Sequence, residues 1–389
     1  MSKRRGAFAS ASLVAAVGAV LVLAGGEAAA STSTLWVSPS GSDGNACTHA
    51  KPCRTIGRAV SVAPVGATIM VTRGVYKGGV TIAKRLHLVG TAWPTVNASG
   101  ATNGIVLAGS GASGSSISGL RVVNASQEGI LAIQTSWVTI RGNVVAHNDQ
   151  GMFAAKPTGE CAPQGQVPGD CGEGIHLMTV NHARVLSNQV TANAGGILAT
   201  DEFGPTFGNV IGWNHIWANA YDCGITMPGH SPFALSSTGV LQPTMGGVYD
   251  NLVTHNVVTG NGLKGEGAGI LIAAAAPGSG SYGNVISWNA VSGNNLAGIT
   301  VHSHAPNQDV NGNRFIGNVL SHNNLGGDPD AGLMRTADLV VFSAVAPITG
   351  TVARGNTFTN AFFGVWSLNG HVSLAGNTYH NVRYRAHQG

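Results

Sequence analysis

Asparagine recurs at a fixed beat along this 389-residue chain. In NVIGWNHIWAN (209–219), NLVTHNVVTGN (251–261), NVISWNAVSGN (284–294) and NRFIGNVLSHN (313–323) it returns after five residues and again after five more. Weaker copies are VTIRGNVVAHN (138–148), RVLSNQVTAN (184–193), VARGNTFTN (352–360) and LAGNTYHN (374–381). A Gly-Ile pair follows several of them, as at Gly174-Ile175, Gly196-Ile197, Gly224-Ile225, Gly269-Ile270 and Gly298-Ile299. Four residues between asparagines are too few for a capped helix and enough for a short strand with a corner. Asn tolerates left-handed backbone better than other non-Gly residues, so the reading places Asn at the bends.

Each unit then runs strand, Asn corner, strand, Asn corner, Gly-Ile strand, loop. One unit cannot bury its apolar side alone. Stacked units can, with strands about 4.8 Å apart and like residues in columns. Stacked asparagines bond to one another as an amide ladder. The expectation is an all-β chain: a parallel β-helix, right-handed by the handedness of parallel connections. The Leu consensus of leucine-rich repeats, the aromatic signatures of propeller blades and the Gly period of collagen are missing. The 57 glycines and a charged share of 9% agree with a turn-rich β-protein.

The chain opens with Lys3, Arg4 and Arg5, an uncharged run from about Ala11 to Ala24, and Ala28-Ala29-Ala30. That is the layout of a secretory signal peptide over residues 1–30, and it predicts a secreted, extracellular protein. Without those residues the chain holds 17 basic and 15 acidic residues, which argues for no nucleic acid or anionic membrane partner. Nothing later is apolar enough for stable membrane insertion. In an exported chain, two local disulfides are the economical pairing of five cysteines, Cys47–Cys53 and Cys161–Cys171, with Cys223 left as a buried thiol.

Residues 35–90 carry a strand at Leu35–Val37, a turn over Ser38–Asp43, and a short helix capped by Thr55, with Ile56, Ala59, Val60 and Ala63 on one face. Gly66–Val71 and Gly74–Tyr76 complete a pattern that resembles the opening of secreted right-handed β-helix proteins of the pectate-lyase-like superfamily. Ala67 departs from it, since many relatives carry Asp there. The resemblance implies an N-terminal α-helical cap, with the first rungs over residues 31–100, continuous with the β-helix over 101–389 as one domain. It implies no single reaction, because that superfamily holds lyases, hydrolases, epimerases and proteins without known activity.

The gaps between units are uneven: 42 residues from Asn209 to Asn251, 33 to Asn284 and 29 to Asn313. The excess falls in loops near 201–208, 227–250, 273–283 and 302–312, which leave one edge of the coil. Function gathers where loops gather on a rigid scaffold. On that edge the reading puts His176, Asp201, Glu202, His230, His302 and His304, with Ala273–Ala276 as a floor between polar rungs. Groups one and two rungs apart lie at about 5 and 10 Å, which brackets acid/base pairs in sugar chemistry. The expectation is a groove for a polysaccharide, an acidic one or another plant or bacterial glycan, with these six as candidate catalytic residues, in a lyase or glycoside hydrolase. Some of them could instead hold calcium or another divalent metal. A non-catalytic carbohydrate-binding or cell-surface structural protein is the alternative.

Two chemistries of the superfamily match only in part. Tyr221-Asp222 stands where polygalacturonase-like hydrolases have two Asp, and Gly229-His230 lacks the second Gly. Asp328-Pro329-Asp330 echoes the D-P-H-D of mannuronan epimerases without its His. Glu128, Asp149, Glu173, Asp222 and Glu266, just ahead of the Gly-Ile strands, read as solvated turn carboxylates. Trp213, Trp217 and Trp288 read as one aromatic column, filling space or binding sugar rings.

Overall fold

The computed structural model describes residues 33–151 and 173–389. The leader expected over residues 1–30 and the expected Cys161–Cys171 pair lie outside them. The described chain winds as a right-handed parallel β-helix of three faces. The first face runs in unbroken order from Thr34–Val37 to Gly370–Ala375. The second runs from Val75–Lys77 to Thr378–Gln388. The third carries the Gly-Ile strands, among them Glu173–Asn181, Gly195–Thr200, Ile225–Gly229, Ile270–Ala274 and Ile299–Ser303, followed by Ala337–Ser343. Pairing between rungs is parallel on all three and in register, apart from a shift between Ile348 and Thr351 on the last rung of the first face.

Register turns the sequence repeat into columns. On the first face Ile140, Val185, Ile211, Val253, Ile286 and Phe315 pair in succession, all fully buried. On the third, Ile175, Ile197, Ile225, Ile270 and Ile299 do the same. Each such side chain contributes roughly 1.5–3 kcal/mol by leaving water. The Gly before each Ile is needed for close approach. A Cβ on Gly224 would lie 2.4 Å from Val258 Cγ1 and 2.9 Å from the amide nitrogen of Asn261.

The asparagines form the expected ladders, but they do not make the bends. The left-handed residue is the one before: Trp213 (φ 56), His255 (φ 55), Trp288 (φ 57) and Gly317 (φ 65). Of the asparagines of the described repeats, Asn360 and Asn381 in the terminal copies are themselves left-handed. Elsewhere the Asn amide points inward. From Asn143 through Asn188, Asn214, Asn256, Asn289, Asn318 and Asn356 to Asn377, each Nδ2 donates to the next Oδ1 at 2.9–3.1 Å. The same Oδ1 accepts the backbone N–H of the Asn before it, as Asn289 does for Asn256 at 2.9 Å. A corner removes backbone groups from the strand ladder, and a buried group left unpaired is costly, so Asn supplies the missing partners.

A second ladder runs through Asn193, Asn219, Asn261, Asn294 and Asn323 and ends on Asp338, whose Oδ1 accepts Asn323 Nδ2 at 2.9 Å. Burial pushes the Asp338 carboxyl up to about 7, against the donors from Asn323 and Thr359. An acid whose folded pKa is raised gives stability that is present below its unfolded pKa and lost as pH rises through the folded one. Melting temperature should therefore fall between about pH 4 and pH 7 through this group. Asp338→Asn keeps the shape of the ladder and should remove that part of the slope, stabilising the chain at pH 8 by about 1–3 kcal/mol. Thermal melts across pH check this, and an unchanged slope counts against it.

At the N-terminal end, the helix Ile56–Val62 buries Ile56, Ala59 and Val60, and Thr55 caps it by accepting from Arg58 N. Asp43 accepts the N–H groups of Arg54 and Thr55, both at 2.9 Å, which ties the Ser38–Asp43 turn to that cap. Cys47 and Cys53 form a disulfide, and Cys223 is a buried free thiol. Trp213 stacks on His255 at 5.1 Å and, like Trp288, sits exposed at a corner. Trp217 instead stacks on His215 on the second face, so the three tryptophans are not one column.

Candidate functional site

The third-face strands end in loops of unequal length, and the outer surface around those ends forms a groove of about 310 Å3. Register builds its floor. Pro228, Ala273, His302 and Phe342 pair in one row across four rungs, and Gly229, Ala274 and Ser303 in the row beside it. Alanine on the middle rung leaves room above the sheet, and the groove is walled by His230 on one side and His302 and His304 on the other. Rungs stand about 4.8 Å apart, so the two walls are separated by about 10 Å.

His230 is held by Glu202, Nδ1 to Oε1 at 2.8 Å, and both are partly exposed. Burial resists ionisation of Glu202. The hydrogen bond from His230 and the charges of His176 and His230 outweigh it and hold the carboxyl at about 2. Glu202 is thus an anion at any ordinary pH, suited to orient an imidazole and favour its protonated form.

Behind this pair a hydrogen-bonded chain runs into the wall. Thr200 donates its hydroxyl hydrogen to Glu202, His176 Nε2 lies 2.8 Å from Thr200 Oγ1, and His176 Nδ1 lies 3.2 Å from Glu128 Oε1. His176 is 4% exposed and Glu128 3%, so His176 does not line the groove as the sequence suggested; it stands behind it. Its column alternates outward, but loops and neighbouring rungs cover it.

Asp201 departs further from expectation. It is fully buried, and its Oδ1 accepts the backbone N–H groups of His230 and Ser231 at 2.6 and 3.0 Å. Oδ2 accepts that of Gly247 at 2.5 Å. Burial raises its carboxyl above the usual range against these donors. The side chain turns under the loop 230–247 and fixes it, so Asp201 acts on the groove through the backbone of His230. A strand end reverses a side chain in one residue, which alternation alone does not reveal.

On the far wall His302 is buried and its Nε2 lies 3.0 Å from Asp328 Oδ2. Burial disfavours the Asp328 anion, yet the hydrogen bond and charge of His302 hold its carboxyl below the usual range. His304 is exposed, with Nε2 3.8 Å from Asp330 Oδ2. Burial and the neighbouring His302 lower its pKa. Asp328 and Asp330 come from the segment between Asn323 and Ala337, which closes on itself through paired backbone bonds of Asp328 and Leu333, both 2.8 Å. That loop enters from the opposite end of the strand from the other four. Its only sequence signal is two acids about a Pro in an insertion of unusual length.

The acids ahead of the Gly-Ile strands are not all solvated turn residues. Glu128, Asp149 and Glu173 are buried, and burial drives the Asp149 carboxyl well up. Asp222 and Glu266 do reach the groove rim. No helix among the described residues is long and apolar enough to cross a membrane.

Residues 102–284 match the family model described as periplasmic copper-binding protein (NosD). No curated protein matches the chain in sequence. Among solved structures it is similar to the A-module of the Azotobacter vinelandii mannuronan C-5 epimerase AlgE4, at 12% identity and TM-score 0.50, over 82% of this chain and 88% of that one. It is similar to pectate lyase Pel9A at 15% identity and TM-score 0.51, over 89% and 79%. It is also similar to the Dettilon tailspike protein at 16% identity and TM-score 0.52, over 89% and 68%. At such identities the likeness is one of fold.

Proposed function

We propose that this chain, a right-handed parallel β-helix of the pectate-lyase-like kind, acts on a polysaccharide laid along the third-face groove, with His230 as the proton-transferring group. The observation that carries this is the His230–Glu202 pair: an imidazole at an open groove, oriented by a carboxylate that stays ionised. Glu202 holds the ring through Nδ1, which fixes its orientation at the groove where a sugar hydroxyl or an attacking water would meet it. His302, His304 and Asp330 meet the same ligand from the far wall. An alanine floor between two polar walls suits a pyranose, which presents apolar C–H faces and polar edges. The neighbours of the same fold are named as a mannuronan epimerase and a pectate lyase, which supports a glycan as ligand.

The charge of the lining narrows the glycan. Asp222, Glu266, Asp328 and Asp330 face the groove, and no Lys or Arg is among the described residues that line it. Like charges repel a polyuronate there, so a neutral polysaccharide fits better than an acidic one. The cellular setting is the exterior or periplasm. That reading draws on the leader-like N-terminus, the Cys47–Cys53 disulfide and a matching family described as periplasmic.

A panel of neutral and acidic polysaccharides tests this. Reducing ends should appear from a neutral glycan, with no ultraviolet absorbance of an unsaturated product. Elimination on a polyuronate would overturn the neutral-glycan reading. Saturable binding without turnover on the whole panel would make the groove a binding module and remove His230's role.

A further inference from the structure

The far wall of the groove has the make-up of a transition-metal site. The ligand atoms of His302, His304 and Asp330 lie within 4.8 Å of one another. His302 lies on the strand Ile299–Ser303 and His304 just past its end, with their ring centroids 5.4 Å apart. The third donor arrives from a loop 26 residues further on, between Asp328 and Leu333. Three donors from two segments converge on the groove, where further coordination positions stay open to solvent or ligand.

We propose that His302, His304 and Asp330 bind a borderline divalent metal ion, of the class of zinc, cobalt or copper, with Asp328 positioning His302. Four observations carry this. First, His304 Nε2 and Asp330 Oδ2 are 3.8 Å apart, too far for a hydrogen bond. Two donors on one ion, each at about 2.0–2.2 Å, are about 3.4 Å apart in tetrahedral geometry, so a small side-chain adjustment seats the ion between them. Second, His302 uses Nε2 on Asp328 and keeps Nδ1. A carboxylate on the second ring nitrogen is the usual support of a metal-bound histidine, fixing its tautomer and raising its basicity.

Third, that support is itself built in. Asp328 is 1% exposed, and its other oxygen accepts Ala331 N–H at 3.0 Å. Fourth, the donor set selects the metal. Two imidazoles and one carboxylate suit zinc, copper or cobalt, whereas calcium asks for six to eight oxygens that this wall does not offer. The ion would also offset the carboxylates that line the groove.

The metal site stands on this geometry whether or not a glycan is turned over, and its test needs no substrate. Full-length mature protein without a histidine tag is titrated with Co2+, read by its visible absorption, and with Cu2+, read by electron paramagnetic resonance. Wild type should bind one ion per chain with nitrogen coupling from two imidazoles. His304→Ala and Asp330→Asn, both at exposed positions, should weaken binding at least about tenfold, and Asp328→Asn about 10–100-fold. The coupling should drop to one imidazole in His304→Ala. Circular dichroism melts confirm that each variant is folded. Binding that is absent, that is unchanged in both exposed variants, or that prefers Ca2+ to Co2+ would overturn the site.

Discussion

Asn289→Ala is expected to lower the unfolding free energy by about 3–5 kcal/mol, a large loss for one polar side chain. The magnitude follows from what the amide does. Its Oδ1 accepts Asn256 N–H at 2.9 Å and Asn256 Nδ2 at 3.0 Å. Its Nδ2 donates to Val253 O and to Asn318 Oδ1, both at 3.0 Å. The site is 1% exposed, so water cannot replace these partners after truncation. Each orphaned buried group costs about 1–3 kcal/mol, and the rungs on both sides lose partners together. The control is Asn381→Ala. Asn381 is exposed, left-handed (φ 52), and makes one bond, to Asn360 Oδ1 at 2.8 Å. It should cost under about 1 kcal/mol. Urea midpoints of the two variants separate the cases. Equal midpoints would mean that the ladder contributes little.

His230→Ala should reduce turnover of the responsive polysaccharide by on the order of 10²–10⁴ while leaving glycan affinity within a few fold. Glu202 touches no substrate in this reading; it holds His230. Glu202→Gln should therefore cost less, on the order of 10²-fold in kcat, and should displace the acid limb of the pH–rate profile. A purely structural role would not move that limb. Glu202 itself titrates at about 2, so loss of activity between pH 4 and 7 cannot be its own protonation. Its contribution to folding has the ordinary sign for a depressed acid: present above the unfolded carboxyl pKa and lost as pH falls through about 2. If both variants turn over at the wild-type rate, His230 is not the proton carrier.

Much of the coil was legible because its repeat is short-range and absolute. Asn209, Asn214 and Asn219 announce corners at fixed spacing, and the Ile of each Gly-Ile pair announces an inward column. The reason for Asn was read only in half. Amide bonding was legible as stacking, but the bend belongs to Ser187, Ala192, Trp213, His255 and Gly317, residues of no common chemistry. Left-handed backbone is available at modest cost to any non-β-branched residue when burial over-determines it, so it leaves a weak trace in composition.

The groove divides in the same way. The places of His230, His302 and His304 are legible from their distance to Gly224 and Gly298, because a strand in register carries its count across rungs. Asp201 obeyed the count and still turned inward, since the loop 230–247 offered it three backbone donors. His176 was counted outward and is covered, its two nitrogens taken by Glu128 and Thr200.

The amino-acid sequence alone determined the coil, its ladders, its capped end and the edge on which histidines gather. All of these depend on periods of a few residues and on what buried backbone demands of its neighbours. Tertiary structure alone decided that Asp328 and Asp330 cross to meet His302 and His304, and that Glu128, His176 and Thr200 back Glu202. A loop's path is set by where it finds partners for its own backbone and carboxylates, and those partners lie on other turns of the coil, at no fixed distance along the chain.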